Sequence, residues 1–134
     1  MKSRRERKVA EREAKIDEYL SKEDREIQNN PLEGIEGTGR QGDRIIDGIM
    51  TEYKTLESGA TSNTVKNVIN NSIKKGGQAR HIIIDARSSG LTTEEARAGL
   101  KRAMGISRGK IDQIRVIGEG FDILNWEINH VNTN

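Results

Sequence analysis

Two residues, Asp47 and Gly48, constrain this chain more than any others. They stand between Arg44-Ile45-Ile46 and Ile49-Met50-Thr51-Glu52-Tyr53-Lys54-Thr55-Leu56. An Asp-Gly pair between apolar arms is the strongest short signal for a two-residue hairpin, so paired antiparallel strands are predicted. Side chains alternate along the second arm, which puts Glu52 and Lys54 on one face. Downstream, Ile82-Ile83-Ile84 are apolar at consecutive positions. That run predicts a central strand over residues 79–86, covered on both faces.

The remaining elements follow from periodicity and punctuation. Residues 3–28 read as a charged helix capped by Ser3, with Val9, Ile16, Leu20 and Ile27 on a narrow apolar stripe. Asn29-Asn30-Pro31 ends it, because the residue before proline avoids helical backbone. Residues 31–42 hold four glycines and read as a linker, so the chain divides into a helix at 1–30, that linker, and a domain at 43–129. Gly37-Thr38-Gly39-Arg40-Gln41-Gly42 has the spacing of a dinucleotide fingerprint but precedes a strand, which removes its meaning. Val65, Val68, Ile69 and Ile73 predict a helix ended by Lys74-Lys75-Gly76-Gly77. Thr92-Thr93-Glu94-Glu95 is a capping box that opens another, closed at Gly105. Residues 112–118 and 121–128 read as two further strands, and 130–134 as a frayed polar tail. The expected fold is α+β, a mixed and mainly antiparallel sheet of about five strands with packed helices.

Composition narrows the chemistry. The chain has no cysteine, so disulfides, thiolate metal sites and a cysteine nucleophile are excluded. No run approaches the roughly 20 apolar residues needed to span a bilayer, and the basic N-terminus lacks the apolar stretch of a secretory signal. A net charge of +2 conceals an uneven distribution: residues 58–118 carry 11 Lys/Arg against 4 Asp/Glu, and residues 26–57 carry 3 against 7. A basic middle beside carboxylates suits a polyanionic partner. His81 and His130 have no fixed spacing to further metal ligands, and no serine sits in a nucleophile elbow.

Phosphodiester cleavage fits these residue types. RNA supplies its own nucleophile, the 2′-hydroxyl, so an enzyme needs a proton acceptor, a proton donor and cations for the phosphorane. Glu52 and His81 are candidate bases, and Lys54, Arg80 and Arg87 candidate cations. Alternation along 79–87 puts His81, Asp85 and Arg87 on one face and Arg80 on the other. Asp47 or Asp43 followed by Glu52-Tyr53-Lys54 also approximates the D…ExK arrangement of restriction endonucleases, in which two carboxylates such as Asp47 and Glu52 hold a divalent ion. A third class is a non-catalytic module that binds nucleic acid or protein.

Several of these segments together resemble the C-terminal toxin domains, CdiA-type, of contact-dependent growth inhibition systems and related polymorphic toxins. They are Asp47–Leu56, Lys75–Arg80, Ile83–Arg87 with Gly90-Leu91-Thr92, and Ile114–Gly118, and the resemblance spans about residues 40–128. It implies a ribonuclease, most often one cutting tRNA in the cytoplasm of a target bacterium. A cognate immunity protein, expected to be acidic because it must match a basic face, would neutralise it. It further implies a barnase/EndoU/colicin/RelE-like fold that works without metal or other cofactor. Other members resemble restriction endonucleases and need a divalent cation such as Mg2+. Carried onto this sequence, the active-site residues are Glu52, Lys54, Arg80, Asp85, Arg87 and His81, expected in a single groove.

Overall fold

A computed structural model describes residues 3–23, 25–29, 44–74, 79–107 and 110–131. The glycine-rich linker, the Gly76-Gly77 helix end and Asp43 lie outside the described residues. Six strands form one sheet in chain order: β1 (Ile27–Asn29), β2 (Arg44–Ile46), β3 (Ile49–Thr55), β4 (His81–Asp85), β5 (Gln113–Gly118) and β6 (Phe121–Leu124). The helices are α1 (Arg4–Leu20), α2 (Ser62–Lys74), α3 (Thr93–Ser107) and α4 (Asn125–Val131). Three of the five strand pairings are antiparallel, and β3–β4 and β4–β5 are parallel. The α+β mixed sheet is thus as expected, with one strand more.

The hairpin forms as predicted. Asp47 and Gly48 both have positive φ, 51° and 84°, and Ile46 pairs with Ile49 across the turn, the geometry of a type I′ hairpin. β4 is central: Ile82 and Ile84 face one layer, Ile83 the other, and all three are buried. Burying each such side chain contributes about 1.5–3 kcal/mol.

Two cores follow from this alternation. On one face Ile82, Ile84, Ile114 and Val116 pack under Val65 and Ile69 of α2 and Leu100 and Ala103 of α3. Gly99 lets these helices approach closely, since a Cβ there would stand 2.7 Å from Val65 Cβ. On the other face Ile46, Tyr53, Ile83 and Ile117 pack under Ile16 and Leu20 of α1.

The N-terminal helix therefore lies on the domain. Ser3 caps it, its hydroxyl accepting from the Glu6 amide at 3.1 Å. Polar clusters fasten it at two places. Arg44 reaches Asp17 Oδ2 at 3.1 Å, and the Tyr53 hydroxyl donates to Asp17 Oδ1 at 2.7 Å. Arg115, nearly buried, bridges Glu23 and Asp122, and the Tyr19 hydroxyl donates to Asp122 at 2.8 Å.

Three predicted boundaries are corrected, the first being the end of α3, which runs on through Gly105 to Ser107. The helix expected over 3–28 ends at Leu20, passes through a 3-10 turn at Ser21–Glu23, and the chain returns as β1 against β2. The strand expected over 121–128 stops at Leu124, and Asn125–Val131 is helical. There the Glu127 carboxylate accepts from the Leu124 amide at 2.7 Å, a capping contact that starts α4. No helix among the described residues is long and apolar enough to cross a membrane.

Candidate active site

Alternation along β3 turns Glu52 and Lys54 toward α2, and Tyr53 toward α1. Glu52 is 2 % exposed. Its Oε1 accepts from Ser72 Oγ of α2 at 2.6 Å, and its Oε2 stands 3.1 Å from Lys54 Nζ. The Lys54 side chain keeps 34 % of its surface in solvent. This is no exposed ion pair of the weak kind. A buried carboxylate is bonded on one side and neutralised on the other by an ammonium that reaches the surface.

Ser72 was missed by reading the sequence, although a signal exists. It follows Val65 and Ile69 at helical spacing, so a hydroxyl occupies the buried stripe of α2.

Asp85 and Arg87 lie on the opposite face of the sheet, toward α1. Asp85 accepts from Arg87 Nε and Nη2 at 2.9 Å each, and from the Arg87 amide at 3.1 Å. The guanidinium also donates to the Lys15 carbonyl at 3.2 Å and sits 5.0 Å above the Tyr19 ring. Burial works to raise the Asp85 carboxyl, but the side-chain and backbone bonds from Arg87 outweigh it. With help from the Lys15 ammonium they hold the group below the usual carboxylate range.

The other predicted residues stand elsewhere. Arg80 precedes β4 and forks onto Asp112, with Nη2 at 2.7 Å from Oδ1. His81 opens β4, about 13 Å from Asp85 along the strand. Its imidazole is held below the ordinary value by burial, with Asp112 opposing and Arg25 and Arg80 assisting. Asp47 stays in the turn, where its carboxylate accepts from Arg25 Nε at 2.9 Å and the Glu26 amide at 3.0 Å. The Arg25 bond, then the Glu26 amide, keep that carboxyl below its usual range. Asp47 is thus about 10 Å or more along the strand from Glu52, and the two do not form a metal site. Among the described residues no group of three His, Cys, Asp or Glu is placed to hold a metal ion. The expectation of a single groove is corrected: the parallel register pairs Thr55 with Asp85, so Glu52 and Asp85 fall on opposite faces.

An open trench nonetheless reaches from Arg87 to Lys54. It runs beside α1 at the C-terminal ends of the parallel strands, the usual place for ligands in such sheets. Three adjoining hollows of about 280, 390 and 280 Å³ compose it. Lys15, Asp85 and Ser88 line both the first and the second, and Arg12 and Thr55 both the second and the third. Lys22 and Arg87 border its far end, and Lys54 its near end.

The sequence matches the profile of the contact-dependent growth inhibition CdiA C-terminal domain over residues 40–123. The chain belongs to that family. The matched segment runs from β2 to β6 and contains Glu52, Lys54, Ser72, Asp85 and Arg87, while α1 and β1 precede it. Comparison with curated protein sequences returned no match. Among solved structures the CdiA C-terminal domain here is similar to a CdiA-CT/CdiI toxin and immunity complex from Burkholderia pseudomallei. The TM-score is 0.57 at 18% identity, covering 78% of this chain and 74% of that chain. At that identity the likeness establishes a shared fold.

Proposed function

We propose that this CdiA C-terminal domain is a ribonuclease toxin whose substrate is tRNA, cleaved at a centre built on Lys54 and Glu52. The observation that carries the reading is the buried Glu52–Lys54 contact at 3.1 Å, with Lys54 bordering the trench. A cation fixed by a desolvated carboxylate stabilises charge in place, without reorganisation as the reaction proceeds. In this mechanism the 2′-oxygen of the substrate bonds to phosphorus and gives up its proton to solvent water, while the buried Glu52 holds the Lys54 ammonium in place from behind. Lys54 neutralises the phosphorane, the bond to the 5′-oxygen breaks, and that oxygen takes a proton from solvent water as it leaves. The products are a 2′,3′-cyclic phosphate and a 5′-hydroxyl. The toxin acts in the cytoplasm of a target bacterium, and a cognate immunity protein neutralises it. Family membership and the similar toxin and immunity complex support both statements.

A metal-dependent second reading keeps the same pair, because a carboxylate and a lysine two residues apart on a strand are half of a D…ExK site. The described residues do not supply its other half. Incubating the domain with total RNA, with and without chelator, separates the readings. Cleavage that persists in chelator and leaves cyclic-phosphate ends supports the first. Cleavage abolished by chelator, with 3′-hydroxyl ends, replaces it with the second. An RNA pool left intact under both conditions rules out a ribonuclease.

A further inference from the structure

The helix that precedes the family's matched segment carries a pattern of its own. Lys8, Arg12, Lys15, Tyr19 and Lys22 follow one another at spacings of four, three, four and three, which aligns them along one side of a helix. All five line the trench. Lys8, Lys15 and Lys22 are exposed, and among the described residues none of the three makes an ion pair.

The trench's acids are mostly neutralised already. Glu57 faces Arg12 at 3.3 Å, Asp85 faces Arg87 at 2.9 Å, and Glu13 faces Arg44 at 3.6 Å. Glu18 shares its hollow with Lys15 and Lys22. Asp17 and Glu13 are taken up by Arg44 of β2, which leaves Lys8, Lys15 and Lys22 as exposed cations along the trench. From Lys8 to Lys22 the row extends about 21 Å, long enough to follow several phosphates of an extended strand.

We propose that this lysine row binds the phosphodiester backbone of RNA and leads it along the trench to Lys54. The helix is then a substrate-positioning arm of the toxin. The proposal rests on the ribonuclease reading for its purpose, but backbone binding is measurable without cleavage. Contacts to phosphate oxygens ignore base sequence and release counterions.

The test uses the full chain and a triple variant, K8Q/K15Q/K22Q, whose folding is checked by circular dichroism and thermal melting. The probe is a fully 2′-O-methylated RNA oligonucleotide held in chelator, with a DNA oligonucleotide of equal length beside it. Expected is a Kd for both probes weaker by roughly tenfold, and a log Kd against log salt slope lower by about 2, from three contacts of about 0.7 each. On tRNA, KM rises while kcat stays. A control of equal charge change on the opposite helices, K66Q/K74Q/K101Q, has a much smaller effect. Unchanged binding and slope in the triple variant overturn the proposal, as does an equal loss in the control. So does a variant that binds RNA normally but no longer associates with the immunity protein, which would make the row a protein-docking surface. Normal loss of binding without any cleavage by the parent would leave the row standing and remove the ribonuclease reading alone.

Discussion

Replacing Lys54 with methionine removes the ammonium that faces Glu52 while keeping much of the side chain's apolar stem. The Glu52 carboxylate is 2 % exposed and stays where β3 and α2 hold it, bonded to Ser72 Oγ at 2.6 Å. Breaking one half of a fully buried ion pair costs about 3–5 kcal/mol. Lys54 keeps a third of its side chain in solvent, and that screening reduces the expected loss to about 2 kcal/mol. For a chain of this size this lowers Tm by roughly 6–10 °C. Glu52→Gln removes the charge but retains an acceptor for Ser72, and the double variant E52Q/K54M leaves no uncompensated ion. Urea unfolding of all four proteins gives a double-mutant cycle, with an expected coupling of about 1–2 kcal/mol. Additive losses, with K54M costing below about 0.5 kcal/mol, would refute the reasoning by showing that the pair is hydrated.

Two other expectations concern the remaining layers. Asp85 has a folded-state carboxyl held below its unfolded value, so its contribution is present above the unfolded range near pH 4 and is lost as pH falls through the folded value. Asp85→Asn removes that contribution, so urea midpoints should fall less on acidification than those of the parent; an equally steep decline would contradict the assignment. Gly99→Ala puts a methyl 2.7 Å from Val65 Cβ and 2.8 Å from the Ser62 carbonyl oxygen, and should lower stability by about 1–3 kcal/mol in the same assay. An unchanged midpoint would mean that α2 and α3 part without cost.

What was legible in the sequence was local. Asp47-Gly48 announced its turn because left-handed backbone at two successive residues is rare outside that pair. Ile82-Ile83-Ile84 announced a strand covered twice, and Thr92 caps α3 as the pattern required, its hydroxyl accepting from the Glu95 amide at 3.2 Å. What failed was set at long range. Ile27 continues the stripe of Leu20 and Ile16, so only pairing with Ile46 across the sheet reveals β1. Asn125-Trp126-Glu127-Ile128 extends the alternation of β6, and the end of the strand depends on the Asn125 side chain taking the Ile114 amide at 3.2 Å.

The site divides in the same way. That Glu52 and Lys54 share a face follows from strand alternation alone. That Asp85 and Arg87 use the other face follows from the register between β3 and β4, set by the α2 crossover, and a slip of one residue would have reversed it. The lysine row along α1 and its 3-10 turn escaped notice because net charge also counts acids such as Glu13 and Asp17, which the fold pairs with Arg44.

Purified tRNA incubated with the parent and with K54M and E52Q, each at a concentration giving equal folded protein, tests the central claim most directly. The parent should cut it, and both variants should leave it intact while retaining parental Kd for the 2′-O-methylated probe. Variants that cut as fast as the parent would show that the Glu52–Lys54 pair is not the reacting centre.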